Sequence, residues 1–255
     1  MSTPQAPRAY NRHLHSNRDQ VFYGTDDGAQ DGSFSEFPDF VKHYNSVGPE
    51  RQSNIHMISV VGGLYGLNMI PLWKPKRITI FDINPMGVSY FKVIRRLFTS
   101  SDSTADMLAK MSSGDYEVED EDQQFIKENI MMKQAGTLPR SRGSSKRSFE
   151  ESWKNAFDHF EVTKELLASE DLEIRTTPME SGDFADMIRN DKNCWIYASN
   201  ITQFHWFELE VNDPANMVCL QIIHPEQPQL LDLSEHAGHK VRVKFQIPLS
   251  AERIS

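Results

Sequence analysis

Cysteine is scarce. Cys194 and Cys219 are the only two in the chain. Two thiols build no disulfide framework, and so few suit a reducing compartment such as the cytoplasm. Long apolar runs are missing too. The longest is far short of the roughly 20 residues that cross a bilayer, so no membrane span is expected. The first stretch, "MSTPQAPRAYNRHLHSNRDQ", has no apolar core and does not read as a secretory signal. Positive charge is in deficit: 27 Lys and Arg face 36 Asp and Glu, a formal net charge of −9. That balance disfavours general binding to a nucleic-acid backbone, although it is compatible with a local basic patch. No internal repeat occurs. Neither a Gly-x-Ser-x-Gly elbow nor a phosphate-binding Gly-Lys-Ser/Thr is present. Metal-ligand sets are thin. His13/His15 and His236/His239 lack the carboxylates or cysteines that complete a ligand sphere, and "TDDGAQDGSFSE" lacks EF-hand spacing.

What is there suits one large α/β domain. At 255 residues the chain can bury a sizeable core. Residues 1–53 are polar with scattered aromatics and read as an arm that packs on a core elsewhere; "SEFPDFVKHY" within it suits a short helix. From residue 54 the apolar pattern begins. Ile55 to Val61 is a short run closed by glycine, as expected of a strand buried on both faces. "LYGLNMIPLW" suits a helix ending near Pro75, and "RITIFD" a second buried strand. In "PMGVSYFKVIRRLF", Val88, Phe91, Ile94, Leu97 and Phe98 recur at helical spacing behind a proline suited to a helix start. Residues 99–147 are poor in apolar side chains, and their charge runs read as solvated or mobile surface. Helix returns over 148–169, with Ser148 and Glu151 spaced as a capping box. Strands are expected at 171–178, 193–201 and 216–225. The alternating 239–249 reads as a final antiparallel strand. The order implies a doubly wound, mostly parallel sheet with an antiparallel C-terminal edge, and an inserted lid at about 99–169.

The stretch "VVGGLYGLNMIPLWKPKRITIFDINP" (60–85) then stands out. In such a sheet, ligands bind beyond the carboxyl ends of the strands. Gly62, Gly63 and Gly66 follow the first core strand, where glycine permits a tight turn and close approach of ligand to backbone. Asp82 ends the next strand, where a carboxylate can accept hydrogen bonds from both hydroxyls of a ribose. A plain alternative stays open: Gly-Gly only closes a strand, and Asp82 only caps the next helix.

"FDINP" with Asp82 and Asn84, "MESGDFADM" with Gly182-Asp183-Phe184, and "WIYASNITQFHW" with Ser199 together resemble the class I S-adenosylmethionine (SAM)-dependent methyltransferase superfamily, over about residues 54–98 and 170–225. The resemblance implies a Rossmann-like methyltransferase fold and SAM as cofactor. It implies Asp82 beside the ribose, Asp183 at the adenine amine with Phe184 near the ring, and Ser199 at the substrate-facing strand end. "GG", "DINP" and "YASNI" also resemble the betaine-lipid type of aminocarboxypropyltransferase, which carries a long insertion at the same place. The spacing departs from the superfamily pattern at Gly-Gly-x-x-Gly. Two reactions remain open: methyl transfer to a small-molecule acceptor, and transfer or internal cyclisation of the 3-amino-3-carboxypropyl arm. A nicotinamide-dependent oxidoreductase and a non-catalytic nucleoside-binding protein are the competing classes. Asn200 is expected to orient the acceptor and His205 to take its proton. Gln203, Trp206, Tyr10, Tyr23 and Tyr65 are further pocket candidates, each also explicable as packing.

Overall fold

The computed structural model describes residues 37–61, 64–82, 84–132, 150, 153–176, 182–189, 191, 193–199, 207–223, 227–246 and 248–254. Helices α1 (Phe37–Ser46) and α2 (Pro49–Gln52) precede strand β1 (His56–Val60). A 3-10 turn, Tyr65–Asn68, runs into α3 (Met69–Trp73), which stops two residues before Pro75. Strand β2 (Arg77–Asp82) leads to α4 (Pro85–Ser100). Then come α5 (Thr104–Ser113), α6 (Glu121–Ile126) with a π turn over Lys127–Met131, α7 (Lys154–Asp158) and α8 (Phe160–Ala168). Strand β3 (Leu172–Thr176), α9 (Gly182–Arg189) and β4 (Cys194–Ser199) follow. The rest is strand: β5 (Phe207–Asn212), β6 (Val218–Ile223), β7 (Gln227–Asp232), β8 (Lys240–Phe245) and β9 (Ser250–Arg253).

The main sheet has the order β3-β2-β1-β4-β6-β7. All neighbours in it are parallel except β6 and β7. With β6 in fifth place, this is the strand order of doubly wound nucleotide-binding sheets, compatible with a Rossmann-like fold. Side chains alternate between its faces. Met57, Ile78, Ile80, Trp195, Tyr197, Val218 and Leu220 meet the helices in one core. Ile58, Val60, Phe81, Ile196 and Cys219 meet α9, β5 and β8 in another.

Two expectations change here. The antiparallel edge of the main sheet is β7, not 239–249. Strand β8 pairs instead with β5 and β9 in a separate antiparallel sheet. Its alternation explains why. Val241, Val243 and Phe245 are buried, whereas Lys240, Arg242 and Lys244 form ion pairs on the wet side with Glu208, Glu210 and Glu252. Such a strand needs one dry and one wet face. Consequently one side of the main sheet carries helices, while the other is covered jointly by α9 and the small sheet.

The second change concerns 99–132. The acidic run is surface at its charges, but it is ordered into helices with buried anchors. Met107, Met111, Ile126, Ile130 and Met131 are buried in the helical core. Ser103 and Asp120 cap α5 and α6, accepting from the N–H groups of Asp106 (3.2 Å) and Gln123 (2.8 Å). Asp120, Glu121 and Asp122 thus sit at a helix N-terminus, where negative charge is favoured. The Ser148/Glu151 capping box and the basic stretch "PRSRGSSKR" (139–147) lie outside the described residues. The helix expected over 148–169 is α7 and α8, broken at His159.

An ion pair joins the first helices to the far strand. Arg51 donates two hydrogen bonds of 2.8 Å to the Asp232 carboxylate. Burial pushes the Asp232 carboxyl up, but the Arg51 bond and the Ser234 N–H outweigh it, and the net displacement is downward from 3.8. A depressed carboxyl contributes stability in full above its unfolded value near 3.8 and loses it as pH falls through the lower folded value. Urea melts of Asp232→Asn should therefore show a flatter decline than the parent protein below about pH 4. Parallel curves through that range would remove Asp232 from the acid limb.

Candidate functional site

The order of the main sheet reverses between β1 and β4, the topological switch point at which open α/β sheets bind ligands. Two of the sequence candidates reach that edge as the ends of strands: Asp82 is the last residue of β2, and Ser199 is the last of β4. The first turn of α9, with Gly182, Asp183 and Phe184, lies at the same edge, because α9 descends from the carboxyl end of β3 to the amino end of β4.

The chain after β1 is shaped by close packing. Val61 still pairs with β2, donating to the Phe81 carbonyl at 3.0 Å. Leu64 then adopts the left-handed region at φ +61° and donates to the Val61 carbonyl at 2.8 Å. An apolar non-glycine residue there is strained, and such strain tends to persist at ligand clamps. Gly66 has no room for a side chain. A Cβ on it would overlap the Ser59 hydroxyl and stand 3.3 Å from Tyr197 Cδ1. This glycine lets the 3-10 turn lie directly on β1 and β4, the role of the third glycine in dinucleotide-binding turns. Tyr65 is buried and stacked on Tyr197 at 5.9 Å, so its ring packs the core beneath the turn.

The β2 end is built around its carboxylate. Asp82 Oδ1 accepts the Asn84 N–H at 2.8 Å. Asn84 in turn caps α4, its Oδ1 accepting the Met86 N–H at 3.0 Å, with Pro85 in the first helical position. Asp82 Oδ2 lies over Gly87, where a Cβ would come within 3.0 Å. So Asp82 rests above the first turn of a 16-residue helix, where the helix dipole favours a negative charge. The plain alternative made Asp82 the cap of this helix; the cap is Asn84, and Asp82 instead accepts the N–H of that cap residue. A carboxylate offers about four acceptor positions, so this task and a ribose contact are chemically compatible.

At β4 the pairing with β6 shifts between Tyr197 and Ser199. Irregularities of this kind re-aim side chains beside active sites. The side chains of Asp183, Phe184 and Ser199 lie outside the described residues, as do Gly62, Gly63, Asn200, Gln203, His205, Trp206, Tyr10, Tyr23, His13 and His15.

No group of three His, Cys, Asp or Glu able to hold a metal occurs among the described residues. Burial pushes the Tyr90 and Tyr116 phenols and the Cys194 and Cys219 thiols up, so these groups stay neutral at ordinary pH. The described part of the edge therefore offers positioning and one carboxylate rather than an activated nucleophile. Sequence reasoning missed Gly87 and Leu64. Gly87 was visible as the glycine two residues after Pro85; the backbone sign of Leu64 left no trace in composition. No protein-family model matches the chain, and no curated protein is similar to it at a significant level.

Proposed function

We propose that the chain is a SAM-dependent transferase that moves the methyl group of SAM to a small-molecule acceptor. The observation that carries the proposal is the Asp82 carboxylate at the end of β2, over a side-chain-free Gly87 and one strand away from the switch point. A carboxylate there suits a vicinal diol, since two hydroxyls can donate to one group. In this reading, Asp82 takes the ribose, Asn84 fixes the turn that presents it, and Asp183 accepts from the adenine amine with Phe184 against the ring. SAM supplies an electrophilic carbon on a sulfonium: an acceptor lone pair bonds to that carbon while the carbon–sulfur pair leaves with sulfur. The chain's own part is to align the groups and exclude water, which can supply much of the rate. Asn200 orients the acceptor, and His205 takes its proton as the new bond forms. Ser199 borders the same crevice.

Calorimetry with SAM, S-adenosylhomocysteine, methylthioadenosine and NAD tests the binding half. Mass spectrometry of products after incubation with SAM and an acceptor panel tests the reaction. Binding of SAM with release of S-adenosylhomocysteine is expected. Methylthioadenosine as product would move the reading to the aminocarboxypropyl arm, which "YASNI" and the long insertion also suit. Affinity for NAD without affinity for SAM would sink the transferase reading. Tight SAM binding with no turnover over a broad panel would favour a non-catalytic binding protein.

A further inference from the structure

At the opposite, amino edge of the sheet, a polar chain enters an otherwise apolar layer. His56 opens β1 and is 2% exposed; Thr79 of β2 is fully buried. His56 Nε2 lies 2.8 Å from Thr79 Oγ1, and His56 Nδ1 lies 2.6 Å from Asp191 Oδ2. Arg77 joins the same knot, with Nη2 2.5 Å from Asp191 Oδ2 and 2.6 Å from His56 Nδ1. The other oxygen of Asp191 accepts the Asn193 N–H at 3.2 Å. Asp191 also donates its own N–H to the Ile188 carbonyl at 3.1 Å, closing the last turn of α9. One carboxylate thus ties the end of α9 to β1, β2 and the start of β4.

Two buried polar side chains are a costly way to fill that layer, since an apolar pair would need no partners. Their return is definition. Apolar contact positions α9 only weakly along its axis. Of its described side chains, Ile188 alone is fully buried, and Ala185 and Met187 are partly so. Apolar contact of those described side chains leaves sliding along the axis open; a carboxylate bound by three directional donors does not. Burial pushes the Asp191 carboxyl up, but the His56 bond, the Asn193 N–H and the Arg77 charge outweigh it. It is therefore ionised at neutral pH.

We propose that the Thr79–His56–Asp191–Arg77 chain fixes the axial position of α9, and with it the first turn Gly182–Phe184 at the ligand edge. These are positioning residues. The helix has eight residues, about 12 Å at 1.5 Å per residue, short and stiff enough to carry a shift from one end to the other. The consequence for the base rests on the nucleoside reading above.

Hydrogen exchange of the full chain, read on peptides from α9, β1 and β4, tests the anchoring. Asp191→Ala should speed exchange in α9 at least tenfold while β1 and β4 stay protected. Asp191→Asn keeps one oxygen, for the His56 side or for Asn193 but not both, and turns an NH2 toward the other donor, so its protection should fall between those of Asp191→Ala and the parent protein. Thr79→Val strips His56 of its inner partner and should act in the same direction as Asp191→Ala, by a smaller factor. If Asp191→Ala does not fold, the other two variants carry the comparison. Unchanged α9 exchange in the folded variants overturns the proposal. Equal loosening of the whole sheet overturns it too, because the cluster would then be ordinary core. Calorimetry adds a second arm, with SAM and its analogue bearing hypoxanthine in place of adenine. The loosened variant should lose about tenfold in SAM affinity and less for the analogue; equal losses overturn the link to the base. If the parent protein binds neither, the nucleoside reading has failed, and α9 exchange alone decides the anchoring.

Discussion

Gly66→Ala should melt several degrees below the parent protein, and Gly66→Val should yield little folded chain. The cause is the contact beneath the turn. The new methyl would overlap the Ser59 hydroxyl and press on Tyr197 Cδ1 and Ser59 Cβ, each at 3.3 Å. Ser59 and Tyr197 are buried in adjacent strands, so neither can move far. Overpacking of this size costs about 1–3 kcal/mol. Removing a glycine from a helical turn returns about 0.5–1 kcal/mol, which offsets only part of it. For a chain of this length each kcal/mol lost lowers the melting temperature by about 2–4 °C. Valine adds two further carbons in the same place and forces the turn off the sheet. Ser59→Ala, which removes the overlapping oxygen, should recover part of the Gly66→Ala loss, so the pair should be non-additive. Thermal melts of the two single variants and the double variant check this. A Gly66→Ala protein as stable as the parent would show that the turn can lift freely.

Asp82→Ala is the larger effect on ligand. Loss of a hydrogen-bonded charged group costs about 1.5–3 kcal/mol, or about 10- to 150-fold in SAM affinity. Stability should fall as well, but less. The Asn84 N–H loses its acceptor, worth about 0.5–1.5 kcal/mol as a typical hydrogen bond. The first turn of α4 loses a favourable charge, about 0.3–1 kcal/mol. Asp82→Asn separates the two roles. It keeps an oxygen for the Asn84 N–H, so stability should be nearly retained, while the loss of charge still weakens a ribose contact. Calorimetry and melting must be run on the same samples. Lower stability with SAM affinity unchanged would leave Asp82 as a turn-building residue and nothing more.

Much of the scaffold was legible in the sequence because its signals are local. "HMISV" and "RITIF" are short, mostly apolar and rich in β-branched residues, as a strand buried on both faces requires, and they are β1 and β2. Pro85 ahead of an apolar stripe marks the start of α4, because the fixed proline angle acts within one turn; that Asn84 rather than Asp82 is the cap came from the structure. The glycines after β1 and the aspartate ending β2 were legible for the same reason. Pairing was not. The alternation in "KVRVKF" showed a strand with one wet face but not which sheet owns it; its partner is "FELEVN", more than 30 residues earlier, and only the fold brings them together. "DYEVEDEDQQFIKENIMM" looked like free surface because its few apolar residues are diluted by charge. Burial of Ile126 depends on α4 being there to receive it, and that of Ile130 and Met131 on the helical core around α5 and α6. Likewise, nothing local links His56 to Asp191, 135 residues away, or Gly66 to Tyr197. Local signals determine which segments become strands and where helices begin, since those choices are settled by neighbours along the chain. Which strand takes which partner, why Gly66 tolerates no side chain and what holds α9 in place depend on contacts across the sheet, and only the tertiary structure decided them.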